Sequence, residues 1–166
     1  MGSFPTRILL ATDGSEGADL AASRAVDLAQ RTGSELHVVH VGCAPVFLKG
    51  EPGASGYDRM LYEEIEDEAR ELLRKVSWRV KVAGGDVAGA HLRMGEVDLE
   101  IVGLAKKLGA DLIVMGCRGR WGIRRAVGGS VSDAVIRHAP CPVLVARSHE
   151  GAEATERPGL LRGGGR

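Results

Sequence analysis

Arg7-Ile-Leu-Leu-Ala-Thr12 is a short apolar run with none of the in-and-out alternation of a half-solvated strand, and runs like it recur along the chain. A strand that is apolar on both sides must be covered on both sides. This is the situation in a parallel sheet, whose crossover helices pack on its two faces. The strands read after it are Glu-Leu-His-Val-Val-His-Val at 35–41, a third at 88–93, Asp-Leu-Ile-Val-Met-Gly at 111–116, and Val-Leu-Val-Ala-Arg at 143–147. Pro140 and Pro142 bracket Cys141 and introduce the last of them.

The segments between these runs follow a helical period. Ser15 is placed to cap a helix with Ala18, Ala21, Ala22, Ala25, Val26 and Ala29 on its buried side, and Gly33 stops it. After a loop rich in Gly and Pro from Gly42 to about Gly56, residues 57–83 repeat Leu61, Ile65, Ala69, Leu72, Val76 and Val80 at three- and four-residue steps, and Gly84-Gly85 end them. Val97, Ile101, Leu104, Ala105 and Leu108 mark a helix over 96–108, stopped by Gly109, and a last helix is expected over 130–138. Alternating strands and helices predict a single α/β domain over 1–147. Its core is a doubly wound five-stranded parallel sheet with helices on both faces. The polar, glycine-rich remainder, 148–166, reads as a flexible tail.

Composition narrows the function. Lys plus Arg equals Asp plus Glu, 22 against 22, so no sequence-independent attraction to nucleic acid or to an anionic membrane is expected. No apolar run is long enough to span a bilayer, and the opening residues lack a signal-peptide apolar segment. Cys43, Cys117 and Cys141 are odd in number and widely spaced, which fits a reducing, cytoplasmic setting better than a disulfide or zinc framework.

Sheets of this kind bind ligands at the carboxyl ends of their strands, where the winding reverses. After the fourth run stands Gly116-Cys117-Arg118-Gly119, then nine residues, then Gly129-Ser130. Gly116 and Gly119 let backbone turn tightly and approach an anion with no Cβ in the way. Gly129-Ser130 opens a helix whose free amides and positive dipole end favour phosphate, and Ser130 and Ser132 add hydroxyl donors. Charge-assisted hydrogen bonds contribute about 1.5 to 3 kcal/mol each, so three or four of them hold a triphosphate at roughly micromolar strength after ordering costs. Arg118, Arg120, Arg124 and Arg125 add positive charge in the same segment. After the first run comes Ala11-Thr12-Asp13-Gly14-Ser15, where the Asp13 carboxylate is placed either to accept from an adenine amino group or ribose hydroxyl, or to serve as a turn residue beside Ser15.

The segment Asp111-Leu-Ile-Val-Met-Gly-Cys-Arg-Gly-Arg-Trp-Gly, with Val127-Gly-Gly-Ser-Val-Ser-Asp-Ala-Val and Ala139-Pro-Cys-Pro-Val-Leu-Val, closely resembles the universal stress proteins. So do Ile-Leu-Leu-Ala-Thr-Asp-Gly-Ser near the start and His40-Val41 at the end of the second run. The resemblance covers about residues 5–147, and the Gly-Ser motif points to the ATP-binding branch. It implies a strand order of 3-2-1-4-5, ATP in the crevice, with Mg2+ or Mn2+ as an accompanying ion, and a homodimer through the fifth strand. Asp13 and the backbone of Val41 would hold adenine, with Ala11 and Thr12 beside them. Met115 and Gly116 would lie near the ribose, and Gly119, Gly129, Ser130, Val131 and Ser132 would bind phosphates. Ala11 departs from the proline frequent in ATP-binding members.

The function this implies is nucleotide-dependent regulation or sensing in a stress response. The alternative is a slow ATP hydrolase or nucleotidyltransferase-like enzyme on the same fold. Transferase signatures of the type His-x-Gly-His or Ser-Gly-Gly-x-Asp-Ser are absent, as is a Walker A loop, and no obvious general base accompanies the glycine loop. His37 and His40, three apart on a strand, face opposite sides and are not expected to share an ion.

Overall fold

The structure is a computed structural model and describes residues 4–44, 55–117 and 131–147. Among the described residues, nine elements alternate in chain order: β1 (Arg7–Ala11), α1 (Glu16–Thr32), β2 (Glu35–Gly42), α2 (Gly56–Val82), β3 (Val87–Met94), α3 (Val97–Leu108), β4 (Leu112–Gly116), α4 (Val131–His138) and β5 (Val143–Ala146). The sheet is parallel throughout, in the order β3-β2-β1-β4-β5. The chain therefore winds outward from the central β1 to β3, then returns to β4 and winds the other way.

Each face of the sheet has its own core, and the parity of the strand residues decides membership. Ile8, Leu10, Leu36, Val38, Leu112 and Val114 face α1 and α2, where they meet Ala21, Ala25, Leu73, Val76 and Val80. Leu9, Val39, Val41, Ile113 and Met115 face α3 and α4, where they meet Ile101, Leu104, Ala105 and Val135. The two-sided burial that the apolar runs predict is thus realised by helices wound on both faces.

The helix ends follow local chemistry. The Ser15 hydroxyl accepts from the Ala18 amide at 3.3 Å, and Gly33 closes α1 in the left-handed conformation at φ 71°. A reciprocal capping box of Ser55 and Asp58 opens α2, one residue earlier than the periodicity predicts. The buried stripe of α2 is Ala69, Leu73, Val76 and Val80, so Leu73 replaces the predicted Leu72 at its centre, while Leu61 and Ile65 are only half-buried. The predicted Ala22 of α1 is likewise half-buried.

Three strand ends are shorter than the runs, Arg147 following β5. Thr12 follows β1 rather than ending it, and Asp111 precedes β4. The Asp111 carboxylate instead accepts from the Thr6 amide at 2.9 Å, the Thr6 hydroxyl at 2.8 Å and the Arg7 amide at 3.0 Å. It ties the entrance of β4 to that of β1, the neighbouring strand on the sheet.

Candidate functional site

The switch between the two winding directions lies between β1 and β4, and both strands end there within a few residues of α1. Thr12, completely buried, is bracketed by the adjoining strand. Its amide donates to the Val39 carbonyl at 2.9 Å and its carbonyl accepts from His40 Nδ1 at 2.8 Å. The Thr12 hydroxyl accepts from the Gly14 amide at 3.2 Å. Gly14 has a φ of 73°, the left-handed region that lets the chain reverse into α1.

Asp13 follows, 3% exposed, with Oδ1 accepting from the Ser15 amide at 3.0 Å and the Ser15 hydroxyl at 2.6 Å. The turn role beside Ser15 is therefore realised in full by one carboxylate oxygen. A ligand role for Asp13 would be superimposed on that turn.

Strand parity sets the direction of the backbone groups. Thr12 donates to Val39, so the odd-numbered residues of β2 turn their peptide groups toward β1; Gly42 accepts from Gly95, so the even-numbered ones turn toward β3. The β1–β2 register ends at Ala11 and Val39. The peptide groups of Val41 are consequently directed to the space beyond the end of β1. The same reasoning applies to β4. Ile113 donates to the Pro142 carbonyl just before β5 and Cys117 to the Ala146 carbonyl of β5, so the peptide groups of Gly116 turn toward β1. Ala11, Thr12, Asp13, Val41, Met115 and Gly116 are thus brought to one end of the sheet, at or just past the ends of three adjacent strands.

Gly116 has a packing reason that sequence reasoning missed. A Cβ there would sit 2.7 Å from the carbonyl carbon of Gly17, 2.8 Å from its oxygen and 3.1 Å from the Ala18 amide nitrogen. The end of β4 touches the first turn of α1 through two glycines, so Gly116 is needed by the fold whether or not an anion approaches it.

On the α4 side, Val131 and Ser132 are buried in the first turn of the helix, which begins at Val131. Arg118, Gly119, Arg120, Gly129 and Ser130 lie outside the described residues. The proposed phosphate contacts of these five therefore stand on the sequence alone. Among the described residues, no group of three or more His, Cys, Asp or Glu side chains is placed to hold a metal ion, and no helix is long and apolar enough to cross a membrane.

The two histidines of β2 part company, as their spacing predicts. His40 is buried against Thr12, whereas His37 lies on the opposite face with Nδ1 3.1 Å from Nε2 of His91 on β3. An irregularity in the β2–β3 register between Leu36 and His37 places Gly89 opposite His37 and leaves room for the two rings. Burial, reinforced by the neighbouring His37, Arg93 and Lys107, pushes the His91 pKa below its ordinary value. This pair stands at the β2–β3 edge of the sheet, away from the β1–β4 switch.

Comparison with known proteins agrees with this architecture. A model of the universal stress protein family matches residues 5–147. A universal stress protein of Methanocaldococcus jannaschii is 36% identical over 146 residues, covering 85% of this chain and 81% of that one. Among solved structures, UspA from Lactobacillus plantarum superposes with a TM-score of 0.67 at 28% identity, covering 86% of this chain and 97% of that one. A universal stress protein from Archaeoglobus fulgidus, solved in complex with dAMP, superposes at 0.53 with 26% identity, covering 86% and 98%.

Proposed function

The chain belongs to the universal stress protein family, and from that premise we propose that it is an ATP-binding regulator or sensor in a cytoplasmic stress response. The observation that carries the reading is the convergence of Asp13, the peptide groups of Val41 and those of Gly116 at the reversal of the sheet. This is where a doubly wound sheet accepts a nucleotide. Asp13 and Val41 are a carboxylate and a peptide edge of the kind that reads an adenine rim. The relative with bound dAMP supports an adenine nucleotide as the ligand class.

In this reading the adenine lies between the ends of β1 and β2, and the ribose lies by Met115 and Gly116. The phosphates run to Gly119, Gly129, Ser130, Val131 and Ser132, with Arg118 and Arg120 contributing charge. A Mg2+ or Mn2+ ion would arrive with the triphosphate, whose oxygens are the hard ligands such ions select.

The reading also includes assembly. β5 is an edge strand, apolar at Val143, Leu144, Val145 and Ala146, and an uncovered edge of that kind invites pairing. A two-fold dimer in which β5 meets its copy antiparallel removes both edges at once.

The test is whether nucleotide travels with the protein. Denaturing the purified chain and resolving the supernatant by anion exchange should release ATP or a related adenine nucleotide. Gly119→Val, whose branched side chain would occupy the space assigned to phosphate, should release none while remaining folded. Wild-type nucleotide content in folded Gly119→Val would place the phosphates elsewhere.

A further inference from the structure

We propose that His40 is a positioning residue that selects the base, by holding the Asp13-bearing turn in register with Val41. The inference rests on the adenine-nucleotide reading above and deepens it. The imidazole is 7% exposed, and its Nδ1 stands 2.8 Å from the carbonyl oxygen of Thr12. A carbonyl only accepts, so Nδ1 carries the proton and the tautomer is fixed by the contact.

That carbonyl belongs to the peptide joining Thr12 to Asp13, so the hydrogen bond sets the rotation of the plane from which the Asp13 side chain departs. The other side of Thr12 is pinned by the Val39 carbonyl, 2.9 Å from its amide. Beyond this point β1 has no further register with β2. His40 therefore extends the strand pairing by one side-chain bond past the last ladder position. It joins the two segments that would read the base, Asp13 on one and Val41, its own chain neighbour, on the other. The hydrogen bonds of this device run between the end of β1 and β2, whereas the phosphate side is assigned to the segment between β4 and α4.

The consequence is a separation of effects. Without the His40 donor the Thr12–Asp13 peptide loses one of its restraints and base recognition weakens, while phosphate binding is unchanged. His40→Leu keeps a buried side chain of similar bulk and removes the donor. His40→Asn places its amide nitrogen at the same bond distance from the backbone as Nδ1 and restores a donor. Loss of one such bond corresponds to about a threefold to tenfold weakening.

Calorimetry with ATP and with inorganic tripolyphosphate reads the split on protein whose folding is verified by its urea midpoint. Expected is a threefold to tenfold loss of ATP affinity in His40→Leu, recovery toward wild type in His40→Asn, and one tripolyphosphate affinity across all three. Equal losses for both ligands in His40→Leu, or unchanged ATP affinity, would overturn the positioning role while leaving ATP binding by the wild type intact. A wild type that binds neither ligand would instead reject the nucleotide reading, and base selection by His40 with it. Independently of any ligand, a long-range proton–nitrogen NMR spectrum of the free protein should report His40 as the Nδ1–H tautomer. The Nε2–H tautomer would overturn the proposed contact.

Discussion

Replacing Gly116 by alanine puts the junction of β4 and α1 under direct strain. The added Cβ would lie 2.7 Å from the Gly17 carbonyl carbon and 2.8 Å from its oxygen. Comfortable separations between such atoms begin near 3.5 Å, so one backbone must retreat by most of an ångström. The obstructing atoms are main chain in the first turn of a helix, and no flexible side-chain tip is available to swing aside. Overpacking of this kind costs about 1 to 3 kcal/mol. With a urea slope of about 2 kcal/mol per molar, the unfolding midpoint should fall by roughly 0.5 to 1.5 M. Gly103→Ala is the internal control. It lies on the exposed side of α3, with nothing within 4 Å of the added Cβ. Alanine there should stabilise by about 0.5 to 1 kcal/mol through helix propensity. An unchanged or raised midpoint in Gly116→Ala would refute the packing argument and return Gly116 to a purely ligand-driven role.

Three further outcomes are expected. Asp111→Ala, which strips a carboxylate from two backbone amides and a hydroxyl, should cost about 1 kcal/mol in urea unfolding. In the wild type, burial opposes ionisation of Asp111, but those donors outweigh it and hold its pKa below the ordinary value. Its contribution is therefore present above about pH 4 and lost as pH falls through the folded-state value; a midpoint equally acid-sensitive in Asp111→Asn would contradict this. For His91 the folded pKa is depressed, so the unfolded chain takes up the proton more readily, and stability should decline as pH drops below about 6.5, less steeply in His91→Gln. At tens of micromolar the wild type should sediment as a dimer and a Val143→Glu, Val145→Glu double variant as a smaller species; a monomeric wild type would remove the β5 interface.

The fold was legible because β1, β4 and β5 are continuous apolar runs and α1 and α3 end on glycines, so the alternation survives without tertiary knowledge. What depended on tertiary contact was not legible. Leu72 and Leu73 are adjacent, and periodicity alone places the buried stripe on either. The crossing of α2 over the β1–α1 turn decides it, with Leu72 coming to lie over Gly14. The His37–His91 pair required both the β2–β3 register and its irregularity, neither of which leaves a local mark in sequence. At the site, the reversal of a doubly wound sheet directs attention to the ends of β1 and β4, whereas Ala11, Thr12, Val41 and Met115 rest on the family resemblance. The missing Cβ of Gly116 makes room for Gly17, a contact between residues 99 positions apart that no motif spacing reveals.

The most direct test of the central claim is calorimetric titration of the nucleotide-free chain with ATP. Binding with a dissociation constant of roughly micromolar order, about −8 kcal/mol, is the predicted result. No heat and no competition up to millimolar ATP would contradict it.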